Sequence, residues 1–420
     1  MDDHLYLGIQ QIVDRQQDVY GYELLFRSTE NNAAGEIWDD LAATARVLVN
    51  SIVNLGMQET IGDKVGFINV NHEVLAEGCV EILPHDQFIL EILENTPMTS
   101  MTADLVRQYA DAGFSFALDD CILEDDFHER FAPVMGHLSI IKVDVRKNTR
   151  EQLIAGIPKL KTLGFKVLAE KIETHEEFDF CAGLGCDYFQ GYFIARPTVL
   201  QAGGIEPAKL DLIRILKELA EDIDIRKLEK FFVTSPELNY SLLRFINSAV
   251  FSIRQNISSI RQALALIGRK QLASWLMLML HAGPKKLYKD VHPVLQICLM
   301  RARCMELLAG NISGKRLPGV AEKAFFAGFL SLADVILGHS LEKIFQSISI
   351  DKEIESAVLK RDGVIGKLLD LNEALEEERL DVVRTLSADL GLNPEAINRV
   401  QLESFIWARN LQQNASKPRM

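Results

Sequence analysis

The sequence predicts two halves of different class, an α/β half followed by an all-α half. Three observations point there. The first half alternates short apolar, partly β-branched runs with amphipathic helical ones. A Gly- and Pro-bearing break, "QAGGIEPAK", begins at Gln201. After it the apolar residues recur at helical spacing only, as at Leu210, Ile213 and Leu216.

In the first half the strand-like runs are "KVGFINVN", "QFILEIL", "FSFALDD", "LSIIKVDV" and "FKVLAEKI". Helix patterns separate them. Thr102 is placed to cap a helix carrying Leu105, Val106 and Tyr109, with Gly113 ending it. Gly164 plays the same part before Phe165, and Thr174 with Glu177 forms a capping-box pattern. Strand and helix in repeated alternation predict a parallel sheet with crossover helices. Near-continuous apolar strands predict burial on both faces, as in a barrel or a doubly wound sheet. In the second half, Ser235 and Pro236 read as a helix start, followed by Leu238, Leu242, Phe245 and Ala249 on one face. The expected domains are 1–202, 203–405 and a tail from 406 to 420, of which "QQNASKPRM" is expected to be disordered.

Composition narrows the function. A chain of 420 residues with a net charge of −14 is expected to bind no nucleic-acid polymer through a general basic surface. The six cysteines form no CxxC pair and match neither a disulfide framework nor a zinc site. The start, "MDDHLYLG", has neither the basic nor the apolar region of a secretory signal. The longest apolar candidate, "LASWLMLMLHAG", is too short to span a bilayer, so no membrane partner and a cytoplasmic location are expected.

The chemistry concentrates at the ends of the predicted strands. Asn69, Glu91, Asp119 with Asp120, Lys142, Glu170 and Gln190 all lie there, and Glu23 sits in the earlier run "YGYELLFR". In a βα barrel such groups converge on one mouth. Two like unit charges ~4 Å apart at an effective dielectric near 20 repel by about 4 kcal/mol. The usual remedy is a hard divalent cation, Mg²⁺ or Mn²⁺, or a pair of them ~3.5–4 Å apart as in phosphodiester cleavage. An acid after a strand more often only caps the next helix, and for any one residue that reading is the better one. The recurrence from strand to strand favours a shared site, with the pair Asp119 and Asp120 as its clearest local sign.

The same residues carry a family resemblance. "QQIVD" at Gln10, "YELLFR" at Glu23 and Arg27, "NVN" at Asn69, "LEILE" at Glu91 and Glu94, "LDD" at Asp119 and Asp120, "IKVD" at Lys142 and Asp144, "LAEKIE" at Glu170 and Glu173, and "GCDYFQGYFIARP" at Gln190 follow one another in the order of the EAL domains of cyclic di-GMP signalling. The resemblance implies a TIM-like βα barrel and hydrolysis of cyclic di-GMP to linear pGpG. It implies that Glu23, Asn69, Glu91, Asp119, Asp120 and Glu170 hold one or two Mg²⁺ or Mn²⁺ ions. It also implies that Lys142, Glu170 and Gln190 serve catalysis, Lys142 and Gln190 by positioning or activating water. Arg27, Glu94, Asp144 and Glu173 match on the substrate side.

Three departures from the family pattern stand out. The loop "CILEDD" replaces a glycine-rich one after the aspartate pair. "RSTENNAAGEIWDD" is shorter than the family's groove segment, and Lys171 stands where the family has glycine. The second half resembles the HDOD domain through "SPELNYSLLRFINSAVF" and "ISSIRQALALIG". There Ser331 and Leu332 stand in place of the metal-binding His-Asp pair of HD enzymes. His281, His292 and His339 are read as ordinary core or surface histidines. The resulting expectation is a module that binds cyclic di-GMP or scaffolds partners. It is coupled to an HDOD half that docks an unknown protein, with a homodimer as one assembly. The alternative is an active Mg²⁺- or Mn²⁺-dependent phosphodiesterase.

Overall fold

The structure is a computed structural model. It describes residues 5–28, 61–78, 80–94, 96–124, 127–195, 207–220, 228–229, 231–232, 238–239, 242–243, 246, 257, 259–286, 293–312, 319–337, 339–348 and 351–416. The chain forms two compact units, Met1–Arg196 with Leu375–Asp381, and Pro197–Ala374 with Val382–Met420.

In the first unit, strands β1 (Leu5–Asp14), β2 (Val19–Ser28), β3 (Val65–Val70), β4 (Phe88–Leu93), β5 (Ser115–Cys121), β6 (Leu138–Asp144), β7 (Lys166–Glu170) and β8 (Tyr188–Phe189) close a barrel in chain order. From β2 to β8 every neighbouring pair is parallel. β1 departs from the predicted pattern, because it runs antiparallel to both β2 and β8. The cause is local. Asp14 Oδ1 accepts from the amides of Gln16 and Asp18 at 2.9 and 3.0 Å, and Gln17 takes a left-handed φ of 62°. That turn makes a hairpin and leaves no room for a crossover helix.

The helices following the parallel strands include α1 (His72–Ala76), α2 (Ser100–Asp111), α3 (Phe127–Phe131), α4 (Arg150–Thr162) and α5 (His175–Leu184). Thr174 and Glu177 make the expected capping box of α5. The cap of α2 is Thr99, not Thr102. Thr99 Oγ1 accepts from the Thr102 amide at 3.1 Å, which puts Thr102 inside the first turn. The threonine three residues earlier takes the capping position because it has the extended backbone that an N-cap needs, whereas Thr102 is already helical.

The barrel interior explains the site. Ile12, Phe67, Ile89, Ala117, Ile140 and Leu168 come from six strands and pack as one buried cluster. On a strand, side chains two residues apart share a face. One step toward the C-terminal ends, that face therefore carries Asn69 after Phe67, Glu91 after Ile89, Asp119 after Ala117, Lys142 after Ile140 and Glu170 after Leu168. An apolar plug thus forms the floor, and ionisable groups stand on it.

Asp187 ties the last strands together. Its Oδ2 accepts from the Val167 amide at 2.9 Å and from Lys161 Nζ, and its Oδ1 from Lys166 Nζ at 3.2 Å. Burial alone would raise its pKa, but the Lys161, Val167 and Lys166 donors outweigh it and hold the carboxyl below its usual range. Asp187→Asn is expected to cost about 1–3 kcal/mol at neutral pH. A depressed folded-state pKa gives stability that is present above the unfolded value near 3.9 and is lost as pH falls through the folded value. Urea midpoints of wild type and variant should therefore converge in acid. A gap unchanged down to pH 2 would contradict this account.

The second unit is helical among its described residues, with α6 (Pro207–Ala220), α7 (Ile260–Lys286), α8 (Pro293–Asn311), α9 (Val320–Leu330), α10 (Ala333–Leu337), α11 (Leu341–Ile348), α12 (Lys352–Lys360), α13 (Gly363–Glu376), α14 (Leu380–Leu390) and α15 (Pro394–Ser416). α8 packs against α9 and α15. Gly328 allows the first of these contacts, since a Cβ there would lie 2.9 Å from Ala302 Cα. α15 passes residue 406, where a separate tail is expected, and continues through residues 412–416 of the segment expected to be disordered. Phe405, Ala408 and Leu411 are all buried on it, so its apolar face does not end at 405. The helix start at Ser235 and Pro236, together with Phe245 and Ala249, lies outside the described residues, whereas Leu242 is buried as expected.

Candidate metal centre at the barrel mouth

Lys142 is wholly buried and stands at the centre of the mouth. Its Nζ lies 2.7 Å from Glu91 Oε1 and from Asp119 Oδ1, 2.9 Å from Glu170 Oε1 and 3.2 Å from Glu23 Oε2. An ammonium has three N–H donors and one charge. It cannot align hydrogen bonds to four carboxylates or neutralise them. Glu91 and Asp119 therefore have close ion-pair contacts, but Glu91 Oε1 and Oε2, Asp119 Oδ1 and Glu170 Oε2 lack an aligned hydrogen bond. Gln190 Nε2 donates to Glu23 Oε2 at 2.6 Å and to Gln10 Oε1 at 2.5 Å. Asn69 Nδ2 donates to Glu23 Oε1 at 3.4 Å, which leaves Asn69 Oδ1 buried without a hydrogen-bond partner.

The charges settle unequally. Burial and then the Glu23 charge push Glu91 well above the usual carboxylate range. Burial and then Asp119 do the same to Glu170. Burial raises Asp119 against the pull of Lys142. Glu23 is also penalised by burial, yet Lys142 and the Gln190 amide hold it below its ordinary value. Burial works against the Lys142 ammonium, but Asp119, Glu170, Glu23 and Glu91 together keep it protonated far above the usual lysine value.

These groups fit a hard cation. Carboxylate oxygens of Glu23, Glu91 and Asp119 lie within 4.8 Å of one another. Glu170 Oε2 and Asn69 Oδ1 are buried oxygens still lacking a donor. A set of carboxylates and one amide carbonyl suits Mg²⁺ or Mn²⁺ better than a softer ion. Glu23, Asn69, Glu91, Asp119 and Glu170 would hold it.

The remaining sequence candidates lie apart from that centre. Asp120, next to last in β5, has φ 56°, and its carboxylate pairs with Lys171 and Lys147. Asp144 Oδ1 accepts from the amides of Arg146 and Lys147 at 2.8 and 3.0 Å, and its Oδ2 pairs with Lys171. Glu94 pairs with Arg130 at 2.5 Å, and Glu173 pairs with Arg146. Arg27 lies on β2 opposite Tyr6, and its side chain is outside the described residues.

The loop without glycine is held by Asn148, which the sequence reading missed for want of any local motif. Asn148 Oδ1 accepts from the Leu123 amide at 2.7 Å, and its Nδ2 donates to Cys121 O at 2.9 Å and Asp144 O at 2.7 Å. The left-handed residue is Asp120 itself, a type that tolerates that conformation. Gly191 is required beside the site. Its φ is 149°, and a Cβ would lie 2.1 Å from Ile172 O. Gln10 is the other unassigned contributor, through its bond to Gln190.

Family models match residues 2–197 as an EAL domain and residues 210–364 as an HDOD domain. The chain carries an EAL domain followed by an HDOD domain. It is 29% identical over 414 residues to the Vibrio cholerae protein named cyclic di-GMP phosphodiesterase CdgJ, covering 97% of this chain and 93% of that one. It is 27% identical over 413 residues to Bacillus subtilis YuxH, covering 97% and 98%. Among solved structures it is similar to the manganese/cy-diGMP complex of Klebsiella pneumoniae BlrP1. The identity is 19% and the TM-score 0.36, with 45% of this chain and 55% of that chain covered.

In the HDOD half, Ser331 Oγ accepts from Arg301 Nη1 at 2.7 Å and donates to Gly328 O at 2.7 Å. A buried guanidinium thus lies beside Ser331. His339 is buried with its Nδ1 3.5 Å from Lys343 Nζ, whereas the His281 side chain and His292 lie outside the described residues. Among the described residues, the one grouping of three or more such side chains able to share an ion is Glu23, Glu91 and Asp119. No helix among them is long and apolar enough to cross a membrane.

Proposed function

We propose that the EAL barrel of this chain binds a divalent cation, Mg²⁺ or Mn²⁺, and with it cyclic di-GMP, as the ligand-responsive half of a cytoplasmic signalling protein. The carrying observation is the convergence of Glu23, Glu91, Asp119 and Glu170 on one buried centre where, among the described residues, the Lys142 ammonium is the one cation that contacts them. Arg27, Glu94, Asp144 and Glu173 are the residues proposed to face the nucleotide. The HDOD half, with no metal group among its described residues, acts by docking a protein partner, in a monomer or a homodimer. Calorimetry of the full chain with cyclic di-GMP and Mn²⁺ tests the reading, with chromatography of the same mixture for linear pGpG. Binding without product is the expected result, and no heat of binding in Mn²⁺ overturns it.

Turnover is the second reading. The name of the 29% identical relative favours it, as does the position of Lys142 between Asp119 and Glu170. A bound divalent ion would supply Lewis acidity toward phosphate and water. The chain's own part follows from its charges. Lys142 is held as an ammonium, so it is a donor able to orient a water, and a base only after losing a proton that four carboxylates retain. Gln190 Nε2 donates to the same Glu23 oxygen that Lys142 contacts, and so helps to fix it. If pGpG forms, Lys142→Ala and Glu170→Ala should each abolish it. Activity persisting in the Glu170 variant would remove the site assignment carried over from the family resemblance.

A further inference from the structure

The residue that departs from the family pattern, Lys171, lies in the gap between Asp120 and Asp144. Its Nζ is 2.5 Å from Asp120 Oδ1 and 2.7 Å from Asp144 Oδ2. The other oxygen of Asp120 faces Lys147 Nζ at 3.1 Å, and the other oxygen of Asp144 accepts two backbone amides. Every oxygen of these two carboxylates is therefore engaged, and engaged by the protein itself. The Glu23, Glu91 and Asp119 grouping, by contrast, leaves oxygens without aligned donors and does not include Asp120.

The backbone also marks Lys171. Its φ is 58°, in the region where a side chain costs energy and glycine does not. Asp120, its partner, is also left-handed, at 56°. Two left-handed residues, one near the end of β5 and one just after β7, meet through one ion pair. A side chain kept at a position that suits glycine calls for a compensating contact, and the ammonium between two carboxylates supplies one. A second divalent ion at Asp120 would have to displace the Lys171 ammonium from between the two carboxylates.

We propose that Lys171 is a built-in counter-cation that takes the place of a second metal ion at Asp120, so that the barrel mouth binds one divalent cation and not two. This rests on the reading of the mouth as a cation site. It replaces the two-ion expectation with a stoichiometry written into the chain.

The test is Mn²⁺ titration of the full-length chain, reading free Mn²⁺ by electron paramagnetic resonance, for wild type, Lys171→Gly and Lys171→Met. The glycine variant relieves the left-handed backbone, so it should fold, and a melting curve checks both variants. Met keeps the bulk of lysine without its charge. Wild type is expected to saturate at one Mn²⁺ per chain and both variants at two. Two ions in wild type overturn the proposal, as does a variant that stays at one. A second ion in the glycine variant but not in the methionine variant overturns the charge argument at its root. No bound ion in wild type overturns the cation reading of the mouth along with this inference, an outcome distinct from the others.

Discussion

Lys142→Met is expected to destabilise the barrel by about 3–5 kcal/mol when divalent ions are chelated, the usual cost of removing one partner of a buried ionic cluster. Methionine keeps the volume, so the loss is electrostatic and not a cavity effect. Glu23 depends on the ammonium, because Lys142 first and then the Gln190 amide hold its buried carboxyl below the ordinary value. Without Lys142, Glu23, Glu91, Asp119 and Glu170 must take up protons or repel one another. Excess Mn²⁺ should narrow the deficit by restoring a positive charge among the same oxygens. Denaturant titration followed by circular dichroism, in EDTA and in Mn²⁺, measures both effects. Equal midpoints for wild type and variant in EDTA would mean that the carboxylates are already neutral and that Lys142 does not hold them.

The complementary experiment removes ligands instead of the counter-charge. Wild-type stability should rise with Mn²⁺ by about 2.7 kcal/mol at a free ion concentration 100 times the dissociation constant. Combining Glu91→Gln with Asp119→Asn should abolish that rise, since both carboxylates belong to the one ion-sized grouping among the described residues. The same double variant should be at least as stable as wild type in EDTA. Amides of nearly the same shape need no counter-charge, and Glu91 and Asp119 are the groups that burial penalises. Gain without metal and loss of the metal response, in one variant, is the signature of residues kept for binding at a cost to the apo-protein. A Mn²⁺ response of wild-type size in the variant would place the ion elsewhere.

Much of this site is legible in the chain because a strand repeats every two residues. Phe67 with Asn69, Ile89 with Glu91, Ala117 with Asp119, Ile140 with Lys142 and Leu168 with Glu170 are each an apolar residue followed two positions later by a polar one. That period, repeated over consecutive strands separated by helices, implies a floor and a rim on one inner face before any coordinates exist. The capping box at Thr174 and Glu177 is equally local and equally readable. Where two threonines three residues apart are both candidates for one helix cap, as Thr99 and Thr102 are, local pattern does not choose between them, and backbone conformation does.

What the sequence by itself determined is therefore the set of groups that share the mouth and the class of ion they suit. The tertiary structure alone decided how those groups divide. Lys142 reaches four carboxylates from four other strands, a convergence that depends on barrel closure and has no local signal. Asp120, adjacent in sequence to Asp119, turns away to Lys171 and Lys147, on the opposite side of β5 as strand alternation assigns, and its left-handed φ of 56° sits where the strand gives way to the loop. Adjacent aspartates look equivalent in a sequence. They part company in the fold, where alternation turns Asp119 into the buried centre and Asp120 away from it, and lysines from just beyond β6 and β7 hold the second carboxylate.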